Sequence, residues 1–109
     1  MNDVETRVRA SFDQQTMMQT LGATLAGIAP GQVTITAPIL PTALQQHGAG
    51  HAGLAFSLGD SAAGYSALSL MPEGAEVMTI EMKINLMSPS IGDRLVAEGR
   101  VIRPGRRVM

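Results

Sequence analysis

The chain has 109 residues, a net charge of −1, 45% hydrophobic and 16% charged residues, three aromatics and no cysteine. This length allows one domain, in which roughly 65% of the unfolded chain's surface is buried in a single core, and the absent cysteines exclude disulfides and thiolate chemistry. Balanced charge and few rings exclude the electrostatic footprint and stacking platform of a nucleic-acid binder, while a charged fraction well under the ordinary ~25% predicts that a second subunit covers part of the surface.

Residues 2–21 are predicted to be helical with a break near Ser11, where Ser11 and Gln14 resemble a capping box, and Gly22 supplies the stop. The first ten residues carry Asp3, Glu5, Arg7 and Arg9 where a secretory signal needs an apolar run, so the cytoplasm is the expected location. Residues 23–28 and 32–37 read as two strands of a hairpin around Pro30-Gly31, with Val33, Ile35 and Ala37 alternating against Gln32, Thr34 and Thr36. Residues 39–50 read as loop. From 52 to about 70 the pattern becomes helical, with Leu54, Leu58, Tyr65 and Leu68 near a 3.6 period. Twelve of the eighteen residues from Ala52 to Ser69 are Gly, Ala or Ser, so a neighbouring layer, expected to be a curved sheet, must approach this helix closely. Asp60 near its centre argues against a membrane span. Residues 76–87 alternate without exception, Met78, Ile80, Met82, Ile84 and Leu86 against Thr79, Glu81, Lys83 and Asn85, and are predicted to be a strand. Another strand follows over 93–102, then a turn at Arg103-Pro104-Gly105-Arg106. Hairpin, one long helix and then antiparallel strands define an α+β chain.

Gly48-Ala49-Gly50-His51-Ala52-Gly53 matches G-x-G-x-x-G literally, but Leu44-Gln45-Gln46-His47 before it is no buried strand, and the acid at the expected distance, Glu73, sits in a Pro-Gly turn. Dinucleotide binding is set aside. A glycine-rich loop feeding a helix N-terminus still offers unpaired backbone N–H groups that favour negative charge. Asp60 is the sole charged residue between His51 and Glu73; a carboxylate on so small and apolar a helix needs compensating partners or a function, unless it faces solvent or caps a neighbouring loop. His47 and His51, four apart with no further His or Cys, do not make a metal site.

The run from Gln45 to Asp60 (QQHGAGHAGLAFSLGD), followed by Thr79 to Pro89 (TIEMKINLMSP), resembles the PaaI-like branch of the hotdog-fold acyl-CoA thioesterases. The resemblance spans about 12–109 and is most specific over 45–89. It implies an α+β hotdog fold, a curved antiparallel sheet wrapped around one long helix, with a helical segment over 1–22 and the hotdog domain over 23–109. It also implies two strands beyond the 103–106 turn, where this chain has only three residues more, so either those strands are missing or another copy pairs the exposed edges. By resemblance His51, Ala52, Gly53 and Asp60 occupy a His-Gly-Gly-plus-acid motif. The Ala52 N–H would polarise the thioester carbonyl, and Asp60 of the other subunit would act as general base or nucleophile. Thr79 would help place the water, and Gln45 falls where relatives have an Asn touching that carbonyl. Two departures stand out: Ala52 adds a Cβ where the family has Gly, and Gln45 is one methylene longer than Asn. Arg103, Arg106 and Arg107 are candidates for the CoA phosphates. A small or aromatic acyl-CoA is the implied substrate and a homodimer or homotetramer the implied assembly, with no cofactor, metal, membrane or nucleic acid. Non-catalytic acyl-CoA binding, dehydratase-type chemistry and a structural dimerisation module are the alternatives.

Overall fold

The computed structural model describes residues 3–109. Met1 and Asn2, at the start of the expected helical segment, lie outside the described residues. Helices α1 (Asp3–Asp13) and α2 (Thr16–Leu21) lead into strands β1 (Thr24–Ala29) and β2 (Gln32–Pro38), the long helix α3 (Ala52–Leu68) and strand β3 (Arg94–Arg100). The strands form one antiparallel sheet in the order β1-β2-β3. Gly31, at φ +76°, makes the tight hairpin between β1 and β2, a conformation that costs a residue without Cβ little. A register shift between Leu25 and Gly27 marks a bulge that bends the edge strand.

The N-terminal helix breaks at Gln14-Gln15 rather than at Ser11. Ser11 does not act as a cap, because its hydroxyl shares a 3.1 Å hydrogen bond with the Tyr65 hydroxyl of α3. Gln15 stands at the N-cap of α2 with no side-chain cap bond. Gly22 ends α2 in the left-handed conformation at φ 70°, as its position predicts.

Period two on β2 sends Val33, Ile35 and Ala37 into the core, where they meet Leu54, Leu58, Ala62, Tyr65 and Leu68 of α3. Val8, Phe12, Met18 and Leu21 close one end of this core. The expected close approach of sheet to helix occurs at Gly99, where a Cβ would collide with the Ala62 carbonyl and the Ser66 hydroxyl. Two serines tie the layers together. Ser66 Oγ accepts the Val33 N–H at 2.9 Å while donating to the Ala62 carbonyl, and Ser69 Oγ accepts the Gly31 N–H at 2.7 Å while donating to the Ser66 carbonyl.

The predicted strand at 76–87 is corrected. This segment is extended but belongs to no sheet among the described residues. Val77 packs against the core and Thr79 bonds α3, which leaves Met78 and Ile80 of the apolar face 88% and 80% exposed. Alternation specifies a buried face but not the neighbour that supplies backbone hydrogen bonds, and no described strand lies beside this one. The sheet is likewise short of a full hotdog set, with three strands on the central helix.

Candidate active site

The loop before α3 is built to start that helix in one place. Gln45 braces it: its side-chain oxygen accepts the N–H groups of His47 at 2.6 Å and Ala49 at 3.1 Å, and its backbone N–H donates to the Ala49 carbonyl at 2.8 Å. Gly48 takes φ +87°, and Gly50 lies where a Cβ would press on Ser90 at 3.0 Å. His51 then caps the helix, with extended backbone (φ −63°, ψ 143°) and Nδ1 accepting the Gly53 N–H at 2.8 Å. A Cβ at Gly53 would stand 3.0 Å from the His51 ring, so the capping ring would have to shift to admit it.

This arrangement singles out one donor. Of the first three N–H groups of α3, that of Gly53 is held by the His51 ring and that of Leu54 by the His51 carbonyl at 3.0 Å, whereas the Ala52 N–H has no acceptor among the described residues. The extra Cβ of Ala52 meets no left-handed backbone, because among the described residues only glycines take a positive φ. The helix N-terminus therefore presents one free N–H, on an exposed residue, with the favourable end of the helix dipole behind it.

Asp60 is half-buried two turns further along α3. Thr79 donates its hydroxyl to Asp60 Oδ1 at 2.6 Å, the short length of a hydrogen bond to a carboxylate, and Oδ2 has no partner among the described residues. At about 1.5 Å rise per residue, Ala52 and Asp60 stand roughly 12 Å apart along the axis. One reacting carbonyl cannot touch both in a single chain.

Asp60 and Thr79 stand between two cavities. The larger, about 640 Å³, lies between the small-residue face of α3 at Ala63 and Ala67 and the side chains of Met78, Ile80 and Met82, with Arg107 at its border. The smaller, about 240 Å³, lies toward the N-terminal helices and is lined by Ser11, Gln15, Ser61 and Tyr65. These four residues form a network absent from the sequence reading: Gln15 Nε2 donates to the Tyr65 hydroxyl at 2.8 Å, and Ser61 Oγ reaches Gln15 Oε1 at 3.4 Å. The one available signal was that Ser61 and Tyr65 are four apart on α3 and share a face. Among the predicted site residues, the structure thus joins Asp60 with Thr79 and His51 with Gly53 and Ala52. It places Gln45 in the loop as a brace, with no partner for its side-chain NH2 among the described residues, and leaves Arg103 and Arg106 exposed after β3. His47 is exposed, and no metal-ligand cluster occurs among the described residues.

A curved antiparallel sheet packed on one central helix is the hotdog architecture. The thioesterase superfamily model matches residues 47–109, and the chain belongs to that family. It is similar to a thioesterase family protein from Silicibacter pomeroyi, with 43% identity, a TM-score of 0.93, and 94% of this chain and 76% of that one covered. The Escherichia coli PaaI protein from the phenylacetic acid degradation operon shares the fold at 24% identity and a TM-score of 0.86, with 94% of this chain and 73% of that one covered. A curated protein of Halobacterium salinarum that carries a provisional esterase name is 28% identical over 113 residues, 98% of this chain and 74% of its own. These likenesses bear out the PaaI-like hotdog reading and support thioester or ester hydrolysis as the activity. No helix among the described residues is long and apolar enough to cross a membrane.

Proposed function

We propose that the protein hydrolyses a small or aromatic acyl-CoA thioester to the free acid and CoA, in the cytoplasm, as a homodimer or homotetramer whose active sites are shared between subunits. The observation that carries this reading is the pairing, on one helix, of a single unpaired N–H at Ala52 with a Thr79-bonded carboxylate at Asp60. Thioester hydrolysis builds negative charge on the carbonyl oxygen, and one preorganised N–H donor is worth roughly 3 kcal/mol of barrier. The Ala52 N–H supplies that donor, with the loop braced by Gln45 and the His51 cap fixing its direction. Asp60 accepts a proton from water, or attacks the carbonyl itself, while the Thr79 hydroxyl fixes the rotamer of its carboxylate. The roughly 12 Å between these groups along α3 is resolved if the Ala52 of one subunit meets the Asp60 of its partner across a two-fold axis. In this reading residues 23–109 form the catalytic hotdog domain and residues 1–22 flank it, and Arg103, Arg106 and Arg107 meet the CoA phosphates, to which guanidinium groups suit a charged, bidentate contact. Steady-state turnover of a panel of acyl-CoA thioesters tests the proposal: release of free thiol from short or aromatic acyl-CoA is expected, and CoA binding without release contradicts it.

A further inference from the structure

We propose that the smaller cavity is a water chamber feeding the hydrolysis, with Gln15 and Ser61 as the residues that position the attacking water; this rests on the hydrolase reading above. Asp60 and Thr79, with Gly64, Glu76 and Val77, line both cavities, so the carboxylate stands where the two meet. On the larger side Ala63, Ala67, Met78, Ile80 and Met82 offer apolar walls to an acyl group. The residues that line the smaller side alone are Ser11, Gln15, Ser61, Tyr65 and Leu68, four of them bearing hydroxyl or amide groups, and Glu76 and Val77 complete its wall. Polar cavities that can offer a water two to four hydrogen bonds hold it in place, and apolar ones stay dry. The smaller cavity, at about 240 Å³, has room for several waters, each of which occupies about 30 Å³ in the liquid.

The network around this chamber has one loose joint. The buried Tyr65 hydroxyl is held by Gln15 Nε2 at 2.8 Å and by Ser11 Oγ at 3.1 Å. Ser61 Oγ, by contrast, reaches Gln15 Oε1 only at 3.4 Å, beyond the ordinary ~2.5–3.0 Å of an O–H···O bond. A water seated at that joint accepts from Ser61 Oγ and donates one proton to Gln15 Oε1. Its other proton is available to Asp60, which lines the same cavity, and its remaining lone pair is free to attack. In the step that follows, the water oxygen bonds the carbonyl carbon and its proton passes to the Asp60 carboxylate. The C–S bond breaks with its electron pair on sulfur, and Asp60 returns the proton to the thiolate, giving acid and thiol. Gln15 comes from the N-terminal helical segment, which thereby contributes a wall of the active site.

The test is a matched pair, Ser61→Thr and Ser61→Val, which add the same bulk and β-branching and differ only in the hydroxyl. Ser61→Val is expected to lower kcat about tenfold, the low end of what a mispositioned proton-transfer step loses, with KM for the thioester within about twofold of the parent. Ser61→Thr should retain a kcat close to the parent. A high-resolution crystal structure of the parent should show a water within hydrogen-bond distance of Ser61 Oγ and Gln15 Oε1, and that of Ser61→Val should lack it. Equal kcat losses in both variants, a change confined to KM, or a dry joint in the parent overturns the proposal. A parent protein that turns over no thioester contradicts the hydrolase reading instead, while the crystallographic water still decides whether the chamber exists.

Discussion

Asp60 and Ala52 can each be removed as a chemical group without removing the fold. Asp60→Asn keeps the size and the acceptor oxygen for Thr79 but cannot take a proton or form an anhydride. It is expected to lower kcat by about 10²-fold or more with a nearly unchanged melting temperature. Intact turnover with a lowered melting temperature would make Asp60 a structural residue. Ala52→Pro deletes one N–H at the first helical position, where proline is tolerated because that N–H has no intrahelical partner. His51, with φ −63° and ψ 143°, already has the extended backbone that a following proline requires. The variant should therefore lose roughly 10²- to 10³-fold in kcat, the scale of one oxyanion donor, with thermal stability held or raised. The start of α3 after His51 and the place of Asp60 two turns along it were legible in the sequence because a helix fixes the spacing of its residues. What was not legible was the hydrogen-bond accounting that leaves Ala52 alone unpaired, since that depends on the His51 ring turning back onto Gly53.

Among the elements, the serine links between α3 and the sheet carry a testable energy. Ser66→Ala strands the buried Val33 N–H and should cost about 1–3 kcal/mol in chemical denaturation while leaving KM unchanged. The hairpin, the closeness of α3 to its sheet and β3 were all readable, because glycine turns, small residues and alternation act locally. The 76–87 segment was not, because its apolar alternation marks a face that must be covered, whereas a strand is defined by a neighbour that sequence does not specify. The C-terminal turn has its own test. If Arg103, Arg106 and Arg107 meet phosphates, replacing all three with Ala should weaken binding of CoA substrates but not of a short thioester lacking the nucleotide. The CoA preference should also fade as salt rises, since exposed charges separated by more than about 8 Å are screened at physiological ionic strength. Equal losses on both substrates would remove these arginines from the site.

For the molecule as a whole, the proposed homo-oligomer accounts both for the exposed Met78, Ile80, Leu86 and Met87 and for the roughly 12 Å between Ala52 and Asp60. Light scattering at micromolar concentration should give at least a dimeric mass, and a folded monomer would contradict the shared site. The most direct measurement is complementation between the two inactive variants. Asp60→Asn and Ala52→Pro proteins are mixed in equal amounts, allowed to exchange subunits, and assayed for thioester hydrolysis. In a two-fold dimer each mixed pair rebuilds one site from the intact Asp60 of one subunit and the intact Ala52 of the other, so activity should recover to about a quarter of the parent's under random exchange. If mixed dimers form and activity stays at the level of the separate variants, the two groups do not meet across subunits and the shared-site account is wrong.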